Sequence, residues 1–196
     1  MKRSIFALAT AFCSILSAPF AHATVIKYSA NLSGLNEATP NASTGTGMVF
    51  VTIDDVLHTM NIDATFSNLV GTTTASHIHC CTASPSSGTA GVATATPSFP
   101  GFPGGVTNGI FNTMIDLTAM SSYNASFVSA HGGTAMGAET FLLGGLSDGT
   151  AYFNIHTNQF PGGEIRGFLT HVPEPATFAL LGLGLAGLGL GRRRVR

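Results

Sequence analysis

Tryptophan is absent from this 196-residue sequence, and charged residues make up only 9% of it. Basic residues are scarcest between Thr24 and His171, where Lys27 and Arg166 stand against eight acidic residues, a net charge of about −6. Because nucleic-acid-binding proteins neutralise phosphates with clustered Lys and Arg, this acidic central segment argues against nucleic-acid binding. The central segment is instead rich in Thr, Ser, Gly, Ala and Asn, a composition that favours short strands and turns over long helices.

The first residues have the three parts of a secretory signal peptide. Lys2 and Arg3 provide a basic start, residues 5–16 are apolar, and Ala21-His22-Ala23 is a small-x-small cleavage pattern. We therefore expect a signal peptide over residues 1–23 that is cleaved after Ala23. Cys13 lies in the middle of the apolar stretch and not after a lipobox, so the mature chain is expected to keep only two cysteines.

The last 25 residues, 172–196, have the features of a sorting anchor. Val172-Pro173-Glu174-Pro175 precedes the apolar run 176–190, and four arginines follow. A transmembrane helix over 176–190 would be about 23 Å long, short against roughly 30 Å of hydrocarbon, and its arginines would stay cytoplasmic. The segment resembles the PEP-CTERM sorting signal, which implies that an exosortase, a membrane-embedded protease, processes the protein for export to the cell surface or exopolysaccharide matrix. A plain C-terminal membrane anchor is the alternative.

Between these ends, residues 24–171 form one expected β domain. Alternating or β-branched stretches bounded by turn residues predict seven strands, near 25–32, 47–53, 59–66, 76–81, 110–117, 151–156 and 164–170. Seven short strands favour an all-β, antiparallel, Greek-key-like sandwich or barrel, superoxide-dismutase-like or immunoglobulin-like. One short helix is expected over 134–143, and the Pro- and Gly-rich span 82–108 is expected to be a long functional or disordered loop.

Three blocks of this domain resemble the CHRD domain. They are Leu32-Ser33-Gly34-Leu35-Asn36-Glu37, then His77-Ile78-His79, and finally the string from Gly149 through Asn154-Ile155-His156-Thr157 to Gly162-Gly163-Glu164-Ile165-Arg166-Gly167. The match spans nearly the whole domain, although Cys80-Cys81 stands where the family usually has Gly-Pro. The resemblance implies an exported module and not a particular reaction.

The histidines are the main candidates for chemistry. His77 and His79 are two residues apart on a predicted strand, so both rings face one side with Cα atoms about 6.6 Å apart. His156 would add a third nitrogen if its strand lies beside the strand of His77 and His79. Cys81 is two residues after His79, so on a continuing strand it would face the same side as the two histidines. This set would suit copper or zinc, and the His-x-His strand is similar to that of copper/zinc superoxide dismutase. The alternative is that these histidines bond loop backbones and fix the ends of the strands.

The two adjacent cysteines have three possible states. A bond between Cys80 and Cys81 would be strained, because neighbouring Cα atoms lie about 3.8 Å apart, below the roughly 4.4 Å usual in disulfides. Pairing with a second molecule and protection by metal are the other options in an oxidising compartment.

Two further features suggest structure more than catalysis. Arg166 and Glu164 are two residues apart on a predicted strand, which predicts an ion pair that fixes the last strand. The alternative is a functional arginine near the histidines that draws anions toward a metal. Gly145-Leu146-Ser147-Asp148-Gly149 matches the G-x-S-x-G hydrolase elbow as a string, but the expected helix before it and strand after it predict a turn.

Two functions fit these observations. The first is a noncatalytic envelope or matrix protein that contacts exopolysaccharide, surface proteins or itself. The second is a metal-binding, redox-capable domain that uses His77, His79 and His156 with copper or zinc. No catalytic residue is predicted, and enzyme activity is the less favoured expectation.

Overall fold

The computed structural model describes residues 25–173. Eight strands, two α-helices and two 3-10 helices, Gly34–Asn36 and Met120–Ser122, make up the regular structure of this part of the chain. The strands are β1 Val25–Ser33, β2 Thr46–Asp54, β3 Thr59–Ser67, β4 Thr73–His79, β5 Gly109–Asp116, β6 Tyr152–Thr157, β7 Ile165–Phe168 and β8 Thr170–His171. The helices are α1 Ala125–Ala130 and α2 Ala135–Ser147.

All seven expected strands are present, and Leu169 divides the last one into β7 and β8. The expected helix corresponds to α2, which extends four residues past the predicted end, whereas α1 was not predicted. Asn124 and Thr134 cap the two helices, because their side chains accept hydrogen bonds from backbone N–H groups of the first turn.

The antiparallel β class is confirmed, but the two packed sheets of a sandwich are not found among residues 25–173. The described strands form one open sheet, a half-barrel with the order β4-β6-β7-β1-β2-β3-β5, and β8 pairs with β1. The apolar face of this sheet is covered by Leu142 and Leu146 of α2 and by Phe99 of the long loop. A helix and a loop therefore take the place of a second sheet.

Strands β1, β2 and β3 have one buried face. In β2 the side chains of Val49, Val51 and Ile53 are at most 1% exposed, while the residues between them are partly exposed. This alternation is the period-two pattern of a strand with a core on one side. The same pattern continues in β3 and fixes the register of the sheet.

Strands β4 and β6 are buried on both faces. Ile78, Phe153 and Ile155 point into the apolar core. Directly opposed residues of neighbouring antiparallel strands share a face, so the pairs His77–Asn154 and Asn154–Arg166 place a polar row on the other side. The loop 80–108 has a defined conformation and covers this row, so the expectation of a disordered loop is wrong.

Within residues 25–173, none of the helices is both apolar and long enough to cross a membrane. The predicted signal peptide, its cleavage site at Ala23, Glu174, Pro175 and the predicted helix 176–190 lie outside the described residues.

Candidate metal centre

Three histidines meet on the polar face of the sheet. His77 and His79 lie on β4, and β6, which carries His156, is the strand directly beside it. One ring nitrogen of each lies within 4.8 Å of one from each of the others. The ring centroids are 5.2 to 5.8 Å apart. The strand adjacency that the sequence argument required is therefore present.

Each of the three rings donates one N–H to a loop carbonyl. The pairs are His77 Nε2 with Pro97 at 2.8 Å, His79 Nδ1 with Ala90 at 3.0 Å and His156 Nδ1 with Pro161 at 2.9 Å. A carbonyl oxygen only accepts, so these nitrogens carry the proton of the neutral ring. The other nitrogens then have free lone pairs, and all three are buried without a partner among the described residues.

The three rings are held in the neutral state. Burial lowers the pKa of His77, His79 and His156, and for His79 it lowers the pKa to about 4. Bonds to the loop carbonyls act in the opposite direction but are outweighed, because a charged ring is costly away from water. A neutral imidazole with one free lone pair is the form that binds metal ions.

Tyr152 and Arg166 lie beside the histidines, and sequence reasoning missed the first of them. Tyr152 stacks on His79, and the guanidinium of Arg166 lies 4.7 Å from the centre of the Tyr152 ring. Tyr152, Asn154 and His156 alternate along β6, so period two along this strand was the signal that would have found Tyr152.

The predicted ion pair between Glu164 and Arg166 is wrong. Arg166 instead faces Glu37, with Nε 3.7 Å from Oε2, and donates hydrogen bonds to the backbone oxygens of Asn36 and Gly88. Because β7 begins at Ile165, Glu164 precedes the strand and does not share its alternation with Arg166. Burial raises the pKa of Glu37 to about 7, against the opposite effect of the guanidinium.

Glu164 has a structural role of its own. Its fully buried carboxylate accepts hydrogen bonds from the backbone N–H groups of Val70 and Gly71 and from the hydroxyls of Ser43 and Thr157. Burial alone would raise the pKa of Glu164, but these four bonds outweigh it and hold the pKa below its usual value. The carboxylate therefore joins three loops at one end of the sheet.

The cysteines form the vicinal disulfide, one of the three states that the sequence left open. The alternation of β4 ends at His79, so Cys81 does not join the histidine cluster. It lines a groove beside α2 together with Phe141 and Thr140. Neither the disulfide state nor this position supports the predicted role of Cys81 as a ligand.

Two other histidines and the serine of the G-x-S-x-G string lie apart from the cluster. His131 follows α1 and stacks on Phe141, and His58 contacts Glu139. Ser147 of the G-x-S-x-G string is the last residue of α2, and no strand precedes it, so the string is not a nucleophile elbow.

Comparison with known proteins gives two matches along the chain. The family model of the CHRD domain matches residues 28–169, and that of the PEP-CTERM protein-sorting motif matches residues 171–194. No curated protein and no solved structure matches the chain. The sorting motif implies processing by an exosortase, a membrane protease, by way of a membrane-anchored intermediate on the path to the cell surface. The chain belongs to the CHRD domain family and, with its PEP-CTERM motif, is an exosortase-sorted extracellular protein.

Proposed function

We propose that this protein acts outside the cell as a noncatalytic binding module, and that His77, His79 and His156 hold one transition-metal ion. One observation supports this most: the three buried ring nitrogens without a partner. Buried polar groups are nearly always hydrogen-bonded, so three free lone pairs in one cluster need a common partner. A metal ion supplies it, because it accepts a lone pair from each ring at once.

The donor set selects the class of metal. Three neutral imidazoles suit zinc and copper, whereas calcium and magnesium prefer oxygen ligands. A metal-binding histidine usually donates the N–H of its other ring nitrogen to a carbonyl or carboxylate, and here loop carbonyls accept such a hydrogen bond from all three rings. The bonds to the loops and the open lone pairs are therefore two parts of one arrangement.

Binding requires a small closure of the cluster. Nitrogens bound to one tetrahedral zinc ion at about 2.05 Å lie about 3.3 Å from one another. The ring nitrogens lie within 4.8 Å, so they would approach by up to about 1.5 Å. Rotation of the rings would draw the Ala90 and Pro97 region of the loop toward the sheet, which predicts that the ion also stiffens this loop.

The test is metal titration of the full chain, purified in mild detergent and stripped with a chelator. We expect one zinc or copper ion per chain by calorimetry and elemental analysis, together with a higher melting temperature. His77→Ala/His79→Ala should lose both effects. His131→Ala/His171→Ala, which removes the same number of imidazoles outside the cluster, should keep them.

The outcomes separate metal binding from purely structural histidines. If the histidines only fix the loops, the His77→Ala/His79→Ala protein melts at a lower temperature but the wild type neither binds nor gains stability from either metal. Substoichiometric metal in the wild type, or an equal loss in both double variants, would rule out the proposed site.

A further inference from the structure

The two edges of the sheet differ in how their backbone groups are satisfied. The outer edge of β4 is covered by the long loop, since the N–H groups of Ala93 and Phe99 donate to the carbonyls of Ile78 and Ser76. The outer edge of β5 is the other end of the sheet. Among the described residues, the backbone of 110–115 has no hydrogen-bond partner on the side away from β3.

The β5 edge also lacks the features that usually prevent strand pairing. Gly109–Asp116 contains no proline, lysine or arginine, and its register with β3 runs without a bulge. Ile110 is 81% exposed and Met114 is 70% exposed on the outer face of the strand. Monomeric proteins usually protect an edge with charges, prolines, bulges or a covering segment. The open edge of residues 110–115, with two exposed apolar side chains, is therefore a pairing surface.

We propose that β5 pairs with β5 of a second copy of this chain, antiparallel and centred on Asn112. In this register Asn112 lies opposite the partner's Asn112, and Ile110 lies opposite the partner's Met114. The two apolar side chains then cover each other. Each Asn112 amide donates one N–H to Asp63 of its own chain, and its second N–H can bond to the amide oxygen of the partner's Asn112. Asp116 lies opposite the partner's Asn108, so no two acidic groups of the paired strands are opposed.

This pairing joins two chains and adds no more. The contact uses the same surface on both copies, as a two-fold axis requires. Each copy has only one open edge among its described strands, because the loop covers β4. The result is a dimer and not a fibre. A single strand pair is smaller than a standard interface, so we expect affinity in the micromolar range.

Cysteine cross-linking of the full chain in detergent tests the register. Directly opposed Cα atoms lie about 4.5–5.5 Å apart, within disulfide range, so Asn112→Cys should form a covalent dimer on mild oxidation. Ile110→Cys should not link to itself, because its symmetry mate is about 13 Å away in this register. Equal cross-linking of the two variants would contradict the register.

Charge substitutions test the dimer itself by sedimentation. Ile110→Lys/Met114→Lys places like charges opposite each other and should weaken dimerisation at least tenfold. Ile110→Lys/Met114→Glu places opposite charges together and should retain the dimer. Leu35→Lys/Leu57→Lys adds two charges at other exposed sites and should behave as wild type. A wild-type chain that stays monomeric up to millimolar concentration, or equal behaviour of the Lys/Lys and Lys/Glu proteins, would overturn the proposal.

Discussion

The ring of Tyr152 lies parallel to that of His79, with the centroids 4.8 Å apart and an angle of 4° between the planes. The Tyr152 hydroxyl oxygen also lies 3.3 Å from both the backbone nitrogen and the carbonyl oxygen of Ala90, and this carbonyl accepts the hydrogen bond from His79 Nδ1. Arg166 contacts Tyr152 from β7, on the other side of β6 from His79. Tyr152 therefore fixes both the plane of the His79 ring and the carbonyl that sets its tautomer.

If the histidines bind metal as proposed, replacing Tyr152 should weaken the site. We expect Tyr152→Leu to lower zinc affinity about 10–100-fold, the usual effect of losing a group that orients a ligand. Tyr152→Phe keeps the stack and should cost less. Tyr123→Phe removes a buried hydroxyl elsewhere, one that donates to Leu117, and should leave affinity unchanged. Competition against a chromophoric chelator measures the three constants. A folded Tyr152→Leu protein with wild-type affinity would exclude this positioning role.

Glu164→Gln should destabilise the domain. The carboxylate accepts four hydrogen bonds at 2.6 to 3.0 Å, and an amide would place an NH₂ group against one or more of those donors. We expect a loss of about 2–4 kcal/mol in the free energy of unfolding, measured with denaturant. Glu37→Gln is the matched control. With a pKa near 7, Glu37 is largely neutral at pH 6, so an amide should replace it there at lower cost. Equal losses would contradict the role assigned to Glu164.

The strands could be predicted because their pattern is local. Val49, Val51 and Ile53 recur at every second position of a run rich in β-branched and aromatic residues, and such a run is typical of a strand. The number of sheets could not be predicted in the same way. Alternation shows that a face is buried but not what buries it, and here Leu142 and Phe99 do so from a helix and a loop.

The candidate site was predictable to the same extent. The parity of His77 and His79 gave their common face, and only the pairing of β4 with β6 was needed to add His156. The groups that set the tautomers are backbone carbonyls of the loops, which have no sequence signature. The same alternation gave wrong predictions for Cys81 and Glu164 because their strands are shorter than expected. Strand β4 ends before Cys81, and β7 begins after Glu164.

Gly145→Ala should be destabilising, whereas Gly144→Ala should not. A Cβ at Gly145 would overlap the sulfur atoms of Cys80 and Cys81, so α2 and the disulfide would have to separate. We expect the free energy of unfolding to fall by about 1–3 kcal/mol, the usual cost of overpacking. A Cβ at Gly144 meets nothing within 4 Å. Because alanine favours the helix more than glycine does, Gly144→Ala should raise the free energy of unfolding by roughly 0.5–1 kcal/mol. Chemical denaturation of the two variants compares them, and a stable Gly145→Ala protein would refute the close packing of the disulfide on the helix.

The contact between His58 and Glu139 should make stability depend on pH. His58 Nδ1 lies 2.8 Å from Glu139 Oε1 and joins the β2–β3 turn to α2. The hydrogen bond to Glu139 and its negative charge raise the pKa of His58 above its ordinary value of 6.5. The folded state therefore binds the proton more tightly than the unfolded state does. The stabilisation is complete below about pH 6.5 and is lost as the pH rises through the raised pKa.

His58→Asn tests this dependence without adding backbone strain, because His58 has a φ of 52° and asparagine tolerates that conformation well. We expect the wild type to melt at a higher temperature than His58→Asn at pH 5.5, and the gap to shrink steadily toward pH 9. The measurement is thermal unfolding of both proteins across that range, with His171→Asn as a control at an exposed histidine that has no acidic partner within salt-bridge distance among residues 25–173. A gap that stays constant or widens with pH would mean that the proton on His58 does not stabilise the fold.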